Sequence, residues 1–228
     1  MDATETSIRQ NLLKAWRFLY KRGFIEGFGH ISARGSSAER IFVSRHALGL
    51  KTSPADFVLV DLEGRRIAGE GETPGELPIH LETYKARPDV GSVAHFHGLY
   101  STAFTMSEHA LRPSYFLAAI FKDGIPVHED SRLILTKDRG MELAKTLGQR
   151  RAALLKAHGV VVTGKDVEEM VASSFILEDN AHRAWVSAAI GNPAWLEPNV
   201  MAEIEEELLR TRGPFRRIWA MCESEAED

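Results

Sequence analysis

Cysteine is nearly missing from this chain: Cys222 is the single one in 228 residues. No disulfide can close within it, which excludes a disulfide-stapled scaffold and fits a reducing cytoplasm. No apolar run approaches the roughly 20 residues of a membrane span. The opening Met-Asp-Ala-Thr-Glu-Thr lacks the basic-then-apolar pattern of a signal peptide, so a cytoplasmic location is expected. Positive charge is not in surplus. The 28 Lys and Arg against 32 Asp and Glu leave a net charge of −4, and no basic stripe stands out. Nucleic acid and membrane surfaces are therefore not expected partners. No repeat or low-complexity tract is found. What remains is an ordinary apolar fraction of 44% and enough chain for one sizeable core.

Periodicity divides the chain into alternating strands and helices. A first helix is expected from about Thr6 to Lys21, with Ile8, Leu12, Trp16 and Leu19 as its apolar stripe and Gly23 as its stop. IFVS and FVLVD read as strands, the second ending in a Glu63-Gly64 turn. LPIHLETYKA reads as a helix with Pro78 in its first turn. SVAHFH is a strand, and a helix follows from about Tyr100. LILT is a weak strand or loop, and Gly140 to Leu147 is helical. RAALLKAHGVVVTG reads as two strands meeting at His158-Gly159. Asp166 and Glu169 have capping-box spacing at the head of a long helix that ends before Gly191. A last helix covers about Met201 to Arg212, and residues 221–228 read as an acidic tail in which Cys222 is incidental. This alternation predicts one α/β domain spanning residues 1–228.

Two histidines in GSVAHFHGLY, His95 and His97, stand two apart in a strand-like run. Alternate strand residues share a face, so both rings point one way and can reach one metal ion. An H-x-H pair alone more readily reads as one solvent-facing and one core histidine, since two ligands do not make a site. His158 is a third candidate, at the end of a buried-strand pattern and before Gly159, which leaves room for a ligand or a sharp turn. Glu76 follows Pro74-Gly75 at a helix start, where it is either a plain cap or a working carboxylate. Three imidazoles and a glutamate together make an open catalytic metal site, with water or substrate filling the remainder. His80, four residues after Glu76, shares its side and is a plausible supporting group. Glu178 and His182, four apart on the long helix, could share a metal but read rather as a solvated helix pair beside Asp179 and Arg183. His109, His128 and the EIEEE run read as surface.

Two familiar H-x-H architectures do not fit. A cupin wants a glutamate soon after the second histidine, and Gly98 to Thr102 offers none. A metal-dependent barrel hydrolase wants a longer chain. With GFGHISAR (27–34), GELPIHLETYKARPDVGSVAHFHGLYSTAF (75–104) and LLKAHGVVVTGKDVEEMVASSFILEDNA (154–181), the chain resembles the class II aldolase/adducin family from about Ile8 to Ala220. The resemblance implies a three-layer α/β/α domain around a largely antiparallel sheet, in homotetramers with active sites at subunit interfaces. It implies that His95, His97 and His158 bind one divalent ion per subunit, zinc first, with manganese, cobalt or iron as alternatives. It assigns Glu76 the acid/base role and Tyr115 a second catalytic candidacy.

The departures from the family's sugar-phosphate aldolases bear on substrate. Those enzymes carry Asn where this chain has His30, and a Ser-Ser pair where it has Pro74-Gly75. Proline has neither hydroxyl nor N–H, and glycine offers only backbone, so the phosphate grip looks dismantled. FGHISAR, with Arg45 and His46 nearby, resembles instead the family's decarboxylases of hydroxylated aromatic or pyridine carboxylates. In that reading His30, Ser32, Arg45, His46 and Gly75 bind substrate, and a metal-stabilised enolate carries the charge left by carbon–carbon cleavage. An aldolase of a non-phosphorylated substrate, a 2-His-1-carboxylate iron oxygenase and a non-catalytic adducin-like interaction module remain alternatives.

Overall fold

The computed structural model describes residues 3–191 and 195–227. Eight strands form one sheet: β1 His30–Arg34, β2 Arg40–Ser44, β3 Phe57–Asp61, β4 Arg66–Ala68, β5 Ser92–Phe96, β6 Val127–His128, β7 Ala152–Leu155 and β8 Gly159–Gly164. Their order is β4-β3-β2-β1-β5-β8-β7-β6, antiparallel throughout except for the short parallel β6–β7 edge. Seven α-helices are described: α1 Ala3–Lys21, α2 Leu77–Ala86, α3 Leu99–Phe104, α4 Lys137–Leu147, α5 Val167–Ile190, α6 Pro198–Thr211 and α7 Gly213–Glu227. Among the described residues no helix is long and apolar enough to cross a membrane.

The sheet buries both faces, giving three layers. Ile31, Ala33, Ala94, Phe96, Val160 and Val162 point to one side, under α1, α5, α6 and α7. Ile41, Val43, Val58, Val93 and Val161 point to the other, under α2 and α4. A strand buried on both faces needs a near-continuous apolar run, as GVVVTG shows. α2 and α4 approach closely because Gly140 has no side chain: a Cβ there would lie 2.7 Å from the Pro78 carbonyl oxygen.

Several elements differ from the sequence expectation. β1 was not expected, because His30 and Ser32 break its apolar pattern. Its alternate residues Ile31 and Ala33 nevertheless fill the α1–α5 core. The supposed acidic tail is the end of α7. Phe215, Ile218, Cys222 and Ala226 are buried. The acidic residues between them pair with α1: Lys14 Nζ lies 2.7 Å from Glu223, and Arg22 pairs with Glu225. Cys222 is therefore core, and burial pushes its thiol up to about 12. His128 is also buried rather than surface, with Nδ1 3.1 Å from Thr146 Oγ1. The cap at Asp166 forms, its carboxylate accepting from the Glu169 amide at 2.7 Å. The Glu169 side chain does not close the box; it pairs with Arg151 and Arg212.

If α7 belongs to the core, removing its anchor should register fully. Phe215→Ala should lower unfolding free energy by about 3–5 kcal/mol, the usual cost of emptying a buried aromatic site, measured by urea denaturation.

Candidate metal centre

The site grows from strand register. β1 pairs with β5 so that His30 stands opposite His95, and β5 pairs with β8 so that Phe96 stands opposite Val160. His95 ends the α2-facing row of β5. His97 lies one residue past the strand, its amide donating to the Phe24 carbonyl at 3.2 Å. His158 sits in the turn between β7 and β8, where Ala157 takes a φ of 51°. The three rings meet with centroids 5.0 Å (His95–His97), 5.0 Å (His95–His158) and 5.3 Å (His97–His158) apart. One ligand nitrogen from each lies within 4.8 Å of the others. Gly159 makes this approach possible. A Cβ there would sit 2.5 Å from the Phe96 carbonyl oxygen and 2.6 Å from His97 Cδ2.

The donor chemistry fits a cation. His95 Nδ1 lies 3.0 Å from the Val160 carbonyl, which only accepts, so that nitrogen carries the proton and Nε2 keeps its lone pair. Burial holds His95 well below the usual imidazole range, and burial followed by the neighbouring His158 lowers His97. Both are therefore neutral at neutral pH, the form that can ligate a metal. His95 Nε2, His97 Nε2 and His158 Nδ1 are buried without a hydrogen-bond partner. Each unmet nitrogen costs about 1–3 kcal/mol. The His158 nitrogen turned toward Glu76 is instead Nε2, and the costs at His95 and His97 make sense if a divalent ion satisfies those rings.

Glu76 occupies the N-cap of α2 but does not cap it. Its Oε1 accepts from the Ile134 amide at 2.8 Å, and its Oε2 lies 3.6 Å from His95 Nε2 and 3.5 Å from His158 Nε2. Burial alone would raise this carboxyl. The His158 and His95 rings and the Ile134 amide outweigh it and bring the group down to about 2. It is a carboxylate at neutral pH, aimed at the histidines.

Behind this cluster runs a polar seam. Glu76, His80 and Tyr84 recur every four residues along α2 and share a face, and they meet the alternate residues His30 and Ser32 of β1. His30 Nδ1 is 2.7 Å from His80 Nε2, His80 Nδ1 is 2.6 Å from Ser32 Oγ, and Ser32 Oγ is 2.9 Å from the Tyr84 hydroxyl. Ser32, expected to touch substrate, is fully buried and spends its hydroxyl on this seam. Tyr84 escaped the sequence reading, although its spacing from Glu76 and His80 was a usable signal.

Glu178 is a second missed residue. It is not part of a solvated pair: its buried carboxylate accepts from the amides of Tyr100 (2.6 Å) and Ser101 (3.1 Å) at the start of α3. It thereby pins the segment just after His97, and Gly98 leaves room for it. His182 stacks on Tyr100, centroids 4.1 Å apart. The remaining candidates are not brought into the cluster. Tyr115 lies under the Arg183 guanidinium, 4.8 Å from its ring centroid, and burial then Asp179 raise its phenol. Arg45 donates to Asp56 Oδ1 at 2.6 Å. His46 is exposed, while Gly75, also exposed, adjoins Glu76.

Against known proteins, the model of the class II aldolase and adducin N-terminal domain matches residues 10–185. The chain belongs to this family. It is 31% identical to a 3,4-dihydroxyphthalate decarboxylase of Rhodococcus jostii (strain RHA1) over 192 residues, covering 78% of this chain and 79% of that protein. It is 27% identical to an L-fuculose phosphate aldolase of Methanococcus maripaludis over 197 residues, covering 82% of this chain and 97% of the relative. Among solved structures, an aldolase II superfamily protein from Pseudomonas syringae superposes with a TM-score of 0.88 at 22% identity, covering all of this chain and 94% of that one. That likeness carries the fold: a largely antiparallel sheet between helical layers.

Four substitutions test the cluster. His95→Ala, His97→Ala and His158→Ala should each lose most bound zinc on metal analysis while circular dichroism stays native, since ligands sharing one ion fail together. Gly159→Ala should also weaken zinc retention, because its methyl drives His97 away. Full zinc occupancy in any histidine variant would remove that residue from the ligand set.

Proposed function

We propose that this protein is a divalent-metal-dependent carbon–carbon lyase that decarboxylates a hydroxylated aromatic carboxylate. His95, His97 and His158 would hold the ion, with zinc the first expectation. The ion would supply Lewis-acid stabilisation of the negative charge that carbon–carbon cleavage leaves. The observation that carries the substrate class is the pairing of this cluster with Pro74-Gly75. The two residues before Glu76 carry no side-chain donor with which to grip a phosphate. Phe28 and Leu99, 73% and 72% exposed, flank the histidines, and the Phe28 ring centroid lies 6.2 Å from that of His97. An apolar rim beside a charged centre suits a flat ring bearing oxygens at one edge. The decarboxylase names among the relatives support the same reading.

Glu76 enters the reaction ionised. It takes the proton of a ring hydroxyl as the substrate binds. The bond to the carboxylate carbon then breaks, carbon dioxide leaves, and the electron pair stays on the ring. Glu76 returns its proton to that carbon, and the product hydroxyl is reprotonated from solvent. His30, whose ring faces His95 with centroids 4.9 Å apart, lies where a substrate oxygen would approach.

A second reading has one observation in its favour. His30, Glu76 and His95 also gather ligand atoms within 4.8 Å, a 2-His-1-carboxylate set of the kind iron oxygenases use. Oxygen uptake separates the two.

The deciding assay supplies purified protein with zinc, manganese or cobalt and a panel of ortho-hydroxy aromatic carboxylates, and follows carbon dioxide release under nitrogen. Turnover without oxygen is expected. Glu76→Gln should retain zinc and lose about a hundredfold or more in kcat. Cleavage of fuculose phosphate with no release from the aromatic panel would return the chain to the aldolases.

A further inference from the structure

The buried seam behind the cluster has a direction, and that direction bears on His30. Tyr84, Ser32 and His80 are 1%, 0% and 0% exposed, and His30 is 6% exposed. Their three contacts, 2.9, 2.6 and 2.7 Å long, each hold one hydrogen. A hydroxyl or neutral imidazole donates one hydrogen, so the protons all point one way along the row.

The Tyr84 end decides which way. Burial raises its phenol, so the proton stays on oxygen. The Val93 amide approaches that oxygen as a donor. The Arg34 guanidinium stacks on the ring, 4.7 Å from its centroid, and its N–H groups go to the carbonyls of Val90, Tyr84, Arg87 and Ala38. Among the described residues Ser32 Oγ is the acceptor left for the phenol proton. Ser32 then donates to His80 Nδ1. His80 carries its own proton on Nε2 and donates it to His30 Nδ1. The proton of His30 is left on Nε2. The reverse order would strand the phenol proton in the core with no acceptor. A doubly protonated His80 would give His30 the same form.

We propose that Tyr84, acting through Ser32 and His80, is a positioning residue that fixes His30 with its proton on Nε2, as a hydrogen-bond donor to an anionic oxygen of the substrate. His30 stands opposite His95 in the β1–β5 register, and a ring nitrogen of His30 lies within 4.8 Å of Glu76 and His95 ligand atoms. Nδ1 is committed to His80, so Nε2 is the atom free to face substrate. A protonated Nε2 has no lone pair for a metal. The seam therefore removes His30 from the ligand set and leaves the ion to His95, His97 and His158. The substrate half of the proposal rests on the carboxylate reading above; the tautomer half does not.

The test begins with the zinc-loaded protein, its histidines labelled with nitrogen-15, and long-range proton–nitrogen spectra. His30→Phe identifies the His30 signals. The wild type should show His30 protonated at Nε2 and free of zinc. A proton on Nδ1, or zinc on Nε2, overturns the proposal. Tyr84→Phe keeps the packing of the ring and removes the phenol proton. It should leave zinc content unchanged, let both His30 tautomers appear, and weaken calorimetric binding of 2,3-dihydroxybenzoate by roughly five- to twentyfold. Added to His30→Phe, Tyr84→Phe should change that affinity by less than about twofold, because its effect passes through His30. Additive losses would mean that Tyr84 acts by packing and would overturn the proposal. If 2,3-dihydroxybenzoate does not bind the wild type at all, the carboxylate reading fails, while the wild-type spectrum still decides the tautomer. That spectrum also decides it if a variant fails to fold.

Discussion

Imidazole lone pairs buried without partners are the constraint around which this molecule is built. A core tolerates few unmet polar atoms. Here the unmet Nε2 atoms of His95 and His97 meet at the end of β5, with the His158 ring against both. Nothing in folding rewards that arrangement by itself. The sheet imposes it through register, and the surrounding glycines permit it: Gly159 lets His158 and His97 close on each other, and Gly29 lets β1 pass His95. A Cβ on Gly29 would lie 2.8 Å from the His95 carbonyl oxygen. The sequence reading already gave Gly159 the room it makes for a ligand; Gly29 adds clearance that only the fold reveals.

The second layer of the site is as ordered as the first. His95 is oriented by the Val160 carbonyl, His97 by the anchoring of α3 on Glu178, and Glu76 by the Ile134 amide. Each support comes from a different element, so the site is held by the packing of the whole domain rather than by one loop. Such support matters because small errors in ligand placement are costly in metal affinity and in catalysis. It also explains why two carboxylates lie near the histidines and only one faces them. Glu178 is consumed by two backbone amides, while Glu76 commits one oxygen and leaves the other toward the cluster.

What the sequence disclosed follows from the range of the signal. The apolar runs of SVAHF and VVVT, the cap at Asp166, Pro78 in the first turn of α2 and the His95–His97 spacing are local, and they were legible as they stand. The three-layer fold came from the resemblance and agrees with the two cores on opposite sheet faces. The missed elements are those whose logic is tertiary. β1 looks too polar for a buried strand until the seam against α2 is known. α7 looks like a charged tail until Lys14 and Lys21 of α1 and Arg22 just after it are set against it. Glu178 gives no local sign at all, since the amides it binds come from another element. Arg45 was chosen for proximity to a strand end, and its partner Asp56 lies in the short helical turn before β3, which only the fold brings beside it.

The same geometry bears on why this scaffold suits carbanion chemistry. In the proposed reaction Glu76, lowered below the usual carboxylate range by its neighbours, would enter as a base and return a proton that it had first taken. A hydroxyl next to the scissile bond provides that proton; a substrate without one leaves Glu76 with nothing to return. In that reading, a requirement for an acidic O–H adjacent to the breaking bond would follow from the ionisation state of Glu76. It holds for a hydroxyaryl carboxylate and for an aldol alike. Between those two, the discriminating residues are the ones that meet the rest of the substrate. Pro74 and Gly75 withhold the donors a phosphate needs, and His30 sits beside His95 at the cluster. In the proposed reading, the carbon–carbon chemistry would be carried by His95, His97, His158 and Glu76, and the choice of substrate by the residues on either side of them.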